Sequence, residues 1–139
     1  GMAAALMLGA QAVQMGTRFL LASETNIHQN YKDKVAKAGD IDTQVTGRSF
    51  GHPIRCLRNP MTKAYLKMEK EGATFEELEL LTLGSLKKAV IDGDVKGGSM
   101  MAGQIAGLVS KQQTCREIVQ EIISECQTVI ELGFKSLVQ

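Results

Sequence analysis

The segment Gln14-Met-Gly-Thr17 combines residue types that can bind a phosphate group. Gly16 has no side chain, so an anion can approach its backbone closely, and Thr17 offers both a hydroxyl and an N–H. The segment lies in an apolar run, and this pattern predicts a phosphate clamp where a buried strand ends. The alternative interpretation of this segment is a buried strand that uses one glycine for close packing and binds no phosphate. The side chain of Arg18 is suited either to binding the phosphate or to forming a structural ion pair.

A second segment, Gly97-Gly-Ser-Met-Met-Ala-Gly-Gln104, is rich in glycine and carries adjacent methionines. Met100 and Met101 can form the wall of an acyl site, because methionine adapts to flexible apolar ligands. Gln104 adds an amide that can donate or accept a hydrogen bond. We therefore interpret Met100, Met101 and Gln104 as candidate lining of a cofactor or acyl pocket. A glycine-rich turn before a short helix is the alternative.

The remaining reactive residue types form no recognisable catalytic or metal-binding pattern. Histidine is a common general acid or base, but neither His28 nor His52 lies near a nucleophile or a carboxylate cluster in a recognisable pattern, so we assign no catalytic residue. Cys56, Cys115 and Cys126 are widely spaced and form no CxxC or Cys/His cluster. This spacing argues against zinc and against a disulfide framework, and we predict no metal site.

Composition limits the partners and the location of the protein. The chain has 139 residues, of which 44% are hydrophobic and 22% charged, values typical of one folded domain. A net charge of +1 and 4% aromatic residues disfavour nucleic acid, which is bound through basic and stacking surfaces. No apolar run reaches the length of a membrane span, and the N-terminus lacks the basic region of a secretion signal. We therefore expect a cytoplasmic protein with neither nucleic acid nor membrane as a partner.

The elements that must position the phosphate segment begin at the N-terminus. Met2 to Leu8 are good helix formers, and Gly9 is placed to end that helix. Ala12 to Leu21 is apolar enough to be a strand covered on both faces, as in a parallel sheet flanked by helices, so we predict an α/β fold. The rest of the sequence predicts no second buried strand to pair with it. The chain is therefore expected to be either a fragment or an oligomer that borrows strand pairing from a partner.

The remaining residues predict helices and one hairpin. The hairpin joins Ile41–Thr46 to His52–Leu57, and Pro53 marks its second part as an edge strand. Capping patterns mark most helix starts. The predicted helices are about 29–38, a helix from Pro60 capped by Asn59, one from the Thr74–Glu77 box to Gly93, and the longest from the Thr114–Glu117 box. The last helix has an apolar stripe that either packs on its own domain or binds a partner helix.

Several segments, taken together, resemble a known family. Met2 to Phe19, Met-Ala-Ala-Ala-Leu-Met-Leu-Gly-Ala-Gln-Ala-Val-Gln-Met-Gly-Thr-Arg-Phe, resembles the seventh helix and eighth strand of the FMN-dependent nitronate monooxygenase-like (2-nitropropane dioxygenase-like) barrels. Four later segments are similar to its bacterial enoyl-acyl-carrier-protein reductase II branch: His28-Gln-Asn-Tyr-Lys32, Asp40-Ile-Asp-Thr43, Phe50-Gly-His52 and Met100-Met-Ala-Gly-Gln-Ile-Ala-Gly-Leu-Val-Ser-Lys111. The resemblance covers nearly the whole chain.

The resemblance implies that this chain is the C-terminal part of an FMN-binding TIM barrel. Residues 1–22 would be helix seven and strand eight of the barrel. Residues 23–139 would be a mostly helical C-terminal region, with the hairpin at 41–57, packed on the barrel. Gln14, Met15, Gly16 and Thr17 would contact FMN, with Gly16 and Thr17 at its phosphate. The catalytic histidine of the family has no counterpart in this chain.

The resemblance also implies the activity of the complete enzyme. It would use FMN, with NADH or NADPH as reductant, to reduce trans-2-enoyl groups carried by acyl carrier protein in fatty-acid synthesis. Two alternatives stand beside this expectation. One is nitronate monooxygenase, which uses the same barrel and flavin with oxygen as oxidant. The other is a non-enzymatic, truncated remnant that forms an oligomer. We expect the isolated chain to be inactive and to form a homo-oligomer.

Overall fold

The computed structural model describes residues 1–137, so Val138 and Gln139, the end of the predicted C-terminal region, lie outside the described residues. The chain is α/β, with helices and one small antiparallel sheet. The first helix, α1, spans Met2–Met7. Gly9 ends it in the left-handed region, with φ +94°, as the sequence predicts.

Residues 12–21, predicted as a buried strand, form no strand. Residues 12–16 are irregular, and Thr17–Leu21 is a short 3-10 helix. A strand needs neighbours for its backbone N–H and C=O groups, and the described residues supply no parallel strand beside this one. The backbone instead bonds locally, with the Phe19 N–H donating to the Gly16 carbonyl at 3.0 Å. A single parallel bridge joins Ala22 to Gln113 beyond the turn.

The predicted hairpin is confirmed, inside its predicted limits. Helix α2, Gln29–Ala36, precedes strands β1, Thr43–Thr46, and β2, Ile54–Leu57, which pair antiparallel. The two-stranded sheet makes β2 an edge strand, as Pro53 predicted, but residues 100–102 cover its outer side. The Leu57 N–H donates to the Met100 carbonyl at 2.8 Å, and the Ala102 N–H donates to the Arg55 carbonyl at 3.2 Å.

Three helices follow the hairpin: α3, Pro60–Lys70, α4, Phe75–Thr82, and α5, Ser85–Val90. Asn59 caps α3 and Thr74 caps α4, both as predicted. The prediction of one helix from Thr74 to Gly93 is wrong. Gly84 has φ +70°, a left-handed conformation that an α-helix cannot continue through, so the chain turns there and α5 begins anew.

The C-terminal part contains a 3-10 helix, Gln104–Leu108, and the longest helix, α6, Cys115–Leu137. The Thr114–Glu117 box caps α6, and α1 packs against α6. The apolar stripe of α6 is covered only in part: Ile118 is fully buried, whereas Phe134 is 69% exposed. The core lies where α2, the hairpin and residues 100–109 meet, and its largest buried members are Leu21, Tyr31, Val35, Leu57 and Met100.

Candidate functional site

The two glycine-containing segments singled out in the sequence meet at one hydrogen bond. The Gly103 N–H donates to Thr17 Oγ1 at 2.9 Å, across 86 residues of sequence. A Cβ atom on Gly103 would lie 3.3 Å from that oxygen, closer than an ordinary contact. Gly103 is a site residue that sequence reasoning missed, although its glycine stands in the segment that carries the resemblance. The contact holds the predicted phosphate segment against the predicted pocket segment.

Gly16 and Thr17 offer hydrogen-bond donors that suit a phosphate. Within residues 1–137, the backbone N–H groups of Gly16, Thr17 and Arg18 donate to no protein acceptor. Because Thr17 Oγ1 accepts a bond from Gly103, the hydroxyl hydrogen is available to donate elsewhere. The space beside Gly16 is open, with no atom within 4 Å of a Cβ placed there. The residues present therefore fit the phosphate of the cofactor that the resemblance implies.

Gln14 and Met15 face a different space. They line a cavity of about 700 Å³ between α1, residues 105–111 and α6, which we call the α1–α6 cavity. Gln14 is exposed and Met15 is half-buried. The four predicted cofactor residues are consequently divided: Gln14 and Met15 line this cavity, Thr17 contacts Gly103, and the space beside Gly16 is open.

Arg18 makes structural contacts, which was one of the two interpretations that the sequence left open. Its guanidinium donates to the Lys111 carbonyl at 3.1 Å and to the side-chain oxygen of Gln113, and it lies 3.6 Å from a Glu121 carboxylate oxygen. A hydrogen bond from Lys111 lowers the pKa of Glu121, which stays ionised and balances the two cations. Arg18 thus ties the turn at Thr17–Leu21 to the start of α6.

The three predicted pocket residues occupy different environments. Met100 is completely buried in the core and Gln104 is exposed, and neither residue lines the α1–α6 cavity. Met101 is 39% exposed, and its carbonyl accepts a hydrogen bond from the Tyr31 hydroxyl at 2.6 Å. Burial raises the pKa of that phenol, which therefore remains a donor across the physiological range.

Met101 lines a second cavity, of about 440 Å³, between the hairpin and helices α3 to α5. We call it the hairpin cavity. Cys56 of β2 also lines it, and burial raises the pKa of this thiol, so that it is protonated at neutral pH. His52 lies at the edge of the cavity, with its ring centroid 5.9 Å from that of Phe75.

His28 has a structural role. Its Nδ1 atom accepts a hydrogen bond from the Asn30 N–H at 3.1 Å, which caps α2. The residues that the structure describes contain no group of histidine, cysteine and carboxylate side chains able to hold a metal ion. Across the same residues, no helix is both long enough and apolar enough to cross a membrane.

Comparisons with known proteins agree on one family. The nitronate monooxygenase family model matches residues 1–125. The solved structure of FabK from Thermotoga maritima has a TM-score of 0.91 and 42% identity, covering 96% of this chain and 42% of that chain. A probable nitronate monooxygenase of Bacillus subtilis (strain 168) is 28% identical, over 90% of this chain and 36% of its own length.

A third relative has a different printed activity. A (3aS,4S,5R,7aS)-5-hydroxy-7a-methyl-1-oxo-octahydro-1H-indene-4-carboxyl-CoA dehydrogenase of Mycobacterium tuberculosis is 27% identical, over 94% of this chain and 47% of its own length. The chain thus spans less than half the length of each of these relatives.

Proposed function

This chain belongs to the nitronate monooxygenase family, and we propose that it is part of an FMN-dependent enzyme that reduces trans-2-enoyl groups on acyl carrier protein. The observation that supports the reductase is the likeness to FabK, an enoyl-acyl-carrier-protein reductase II, at 42% identity and a TM-score of 0.91. Identity to the curated nitronate monooxygenase from Bacillus subtilis is lower, at 28%. Nitronate oxidation remains the alternative because the family model carries that name.

In this proposal the residues of this chain hold the cofactor. When bound, FMN would carry hydride from NADH or NADPH to the enoyl group. Gly16 and Thr17 would donate their N–H groups to its phosphate, since these groups have no acceptor in the described chain. The bond from Gly103 uses one lone pair of Thr17 Oγ1, so the hydroxyl hydrogen is free to donate to the phosphate. Gln14 and Met15 would shape the surroundings.

A chimaera tests the proposal. The segment of Thermotoga maritima FabK that aligns with this chain is replaced by these 139 residues, and the purified protein is assayed for bound FMN. We expect oxidation of NADH or NADPH that depends on a trans-2-enoyl-acyl carrier protein. Oxygen-dependent turnover of a nitronate, without enoyl reduction, would show that the monooxygenase alternative is correct.

Gly16→Val in the chimaera tests the phosphate site directly. Gly16 has φ −98°, which any residue adopts, and open space around it, so valine fits the fold but obstructs an approaching anion. We expect FMN affinity to fall at least about tenfold, the equivalent of about 1.4 kcal/mol. Gly133→Val, in an equally open position on α6, is the matched control and should leave the affinity unchanged.

We also propose that the isolated chain is inactive and self-associates. Several apolar side chains of α6 are exposed, among them Val129 at 58% and Leu132 at 60%, and such surfaces favour association. Titration of the chain with FMN, followed by flavin absorbance and fluorescence, tests the first statement. Stoichiometric binding would contradict the inactive-remnant alternative. Light scattering that shows a monomer at micromolar concentration would contradict self-association.

A further inference from the structure

We propose that the hairpin cavity binds the hydrocarbon tail of an acyl group. The identity of this ligand rests on the proposed function, whereas the cavity is a feature of the chain itself. Its volume of about 440 Å³ lies within the range, roughly 300–1,000 Å³, that is common for small-molecule sites.

The walls of the cavity are chemically suited to a neutral, apolar ligand. Ile54, Met61 and Leu78 approach from a strand and two different helices. Met61 and Met101 supply flexible side chains that adapt to a hydrocarbon. Glu79 is the charged side chain on the wall, and no lysine or arginine lines it, so an anionic ligand is disfavoured. Transfer of an alkyl chain from water to these walls is favourable.

The cavity has a closed floor and an open side. Cys56 and Leu78 form the floor and are each 1% exposed, whereas Ile54 and Phe75 on the open side are each 42% exposed. A ligand can therefore enter without unfolding of the hairpin.

The position of the cavity connects it to the proposed cofactor segment. Met101 is on the cavity wall, and two residues later Gly103 donates to Thr17. The Tyr31 hydroxyl fixes the Met101 carbonyl at 2.6 Å, so this short stretch is held in place. A substrate with its tail against Met101 would therefore lie beside the stretch that positions Thr17. Such a position suits a substrate whose enoyl group must reach the flavin.

Cysteine protection in the isolated chain tests the proposal without any flavin. The probes are the N-(2-hydroxyethyl) amides of butanoic, hexanoic and octanoic acid, in which an amide replaces the thioester and no acyl transfer occurs. The chain is treated with methyl methanethiosulfonate, and modification of each cysteine is followed by mass spectrometry. Cys126 is the internal control, because it is also buried but lines the α1–α6 cavity.

We expect the amides to slow modification of Cys56 in a saturable manner and to leave Cys126 unaffected. Apparent affinity should rise about fourfold for each added methylene, as expected for transfer of a CH₂ group from water. Unchanged modification of Cys56 up to the solubility limit of the octanoyl amide would overturn the proposal. Equal protection of both cysteines would also overturn it, because it would indicate non-specific association.

Ile54→Trp should fill the cavity and weaken octanoyl-amide binding at least tenfold. Ile54 is part-exposed, so the larger ring has room to settle. Ile41→Trp, at a position that is 75% exposed and outside the cavity, is the matched control. If circular dichroism shows that Ile54→Trp is unfolded, Leu86→Trp on α5 replaces it. Unchanged binding in a folded, filled variant would contradict the proposal.

The outcomes separate this proposal from the proposed function. Saturable protection of Cys56 alongside a chimaera that does not reduce enoyl groups would leave the cavity assigned and the reductase activity rejected. An active chimaera with no protection of Cys56 would reject the cavity site alone.

Discussion

Replacement of Thr17 by valine should measure the contact that joins the two segments of the candidate site. Valine keeps the shape of threonine but removes the oxygen that accepts from the Gly103 N–H at 2.9 Å. A buried donor left without a partner costs about 1–3 kcal/mol. Since this bond is only part-buried, water can reach the freed N–H in part, and we expect a loss near the lower end, about 1–1.5 kcal/mol.

The assay is thermal unfolding followed by circular dichroism, combined with hydrogen exchange at the Gly103 amide. A chain of 139 residues should lose about 3 °C in Tm per kcal/mol of lost stability, so Thr17→Val is expected to lower Tm by about 3–5 °C. The Gly103 amide should exchange faster in the same variant. Thr17→Ser keeps the hydroxyl and should retain most of both properties.

Thr128→Val provides a second control. The Thr128 hydroxyl donates to the Ser124 carbonyl on the exposed surface of α6, and its loss should change stability by less than about 0.5 kcal/mol. The reasoning would be refuted if the free energy of unfolding of Thr17→Val were within about 0.3 kcal/mol of that of the parent chain and hydrogen exchange at the Gly103 amide were unchanged. It would also be refuted if Thr17→Ser lost as much stability as Thr17→Val, because serine keeps the oxygen that accepts from Gly103.

Three further predictions concern the elements around the site. Asn59→Ala should lower the free energy of unfolding, measured in urea, by about 2–4 kcal/mol. The reason is that the buried Asn59 side chain caps α3 and also donates to two backbone carbonyls. A loss below about 1 kcal/mol would contradict this prediction. Hydrogen bonds from the N–H groups of Gly97 and Lys96 lower the pKa of Asp94. The stability that these bonds contribute should therefore be present at neutral pH and be lost as pH falls through that lowered pKa. Asp94→Asn should remove this part of the acid dependence, and an unchanged pH profile of stability would contradict the prediction. Gly47→Ala should destabilise more than Gly72→Ala in the same urea assay, because both have positive φ but only a Cβ on Gly47 would clash with the His52 carbonyl oxygen. Equal losses would show that the close contact relaxes freely.

Features set by neighbouring residues could be predicted from the sequence. The boxes at Thr74 and Thr114 and the Asn59–Pro60 start each specify a helix end through side-chain bonds made within four residues. Gly9 ends α1 for the same local reason. The hairpin also appeared within its predicted limits, because its strands are adjacent in sequence.

Features that depend on distant partners were not predictable in this way. Ala12–Leu21 has the composition of a buried strand, but a strand forms only where another lies alongside it. The apolar periodicity from Leu78 to Val90 suits one helix, and the left-handed Gly84 divides it. At the candidate site, the sequence indicated Gly16, Thr17 and Met101 but not the bond to Gly103, which forms across 86 residues.

The way in which residues 100–102 cover β2 has a consequence for folding kinetics. β1 and β2 are separated only by a short turn, whereas Met100 and Ala102 reach β2 from far along the chain. Closing the longer loop costs more conformational entropy, so we expect the hairpin to pair before the rate-limiting barrier and residues 100–102 to dock after it. Ala102→Pro, which removes the donor to Arg55, should then accelerate unfolding in stopped-flow measurements and leave the folding rate nearly unchanged. A matching decrease in the folding rate would place the docking before the barrier. In the expected order, the segment that carries Met101 determines how long the hairpin stays folded rather than how quickly it forms.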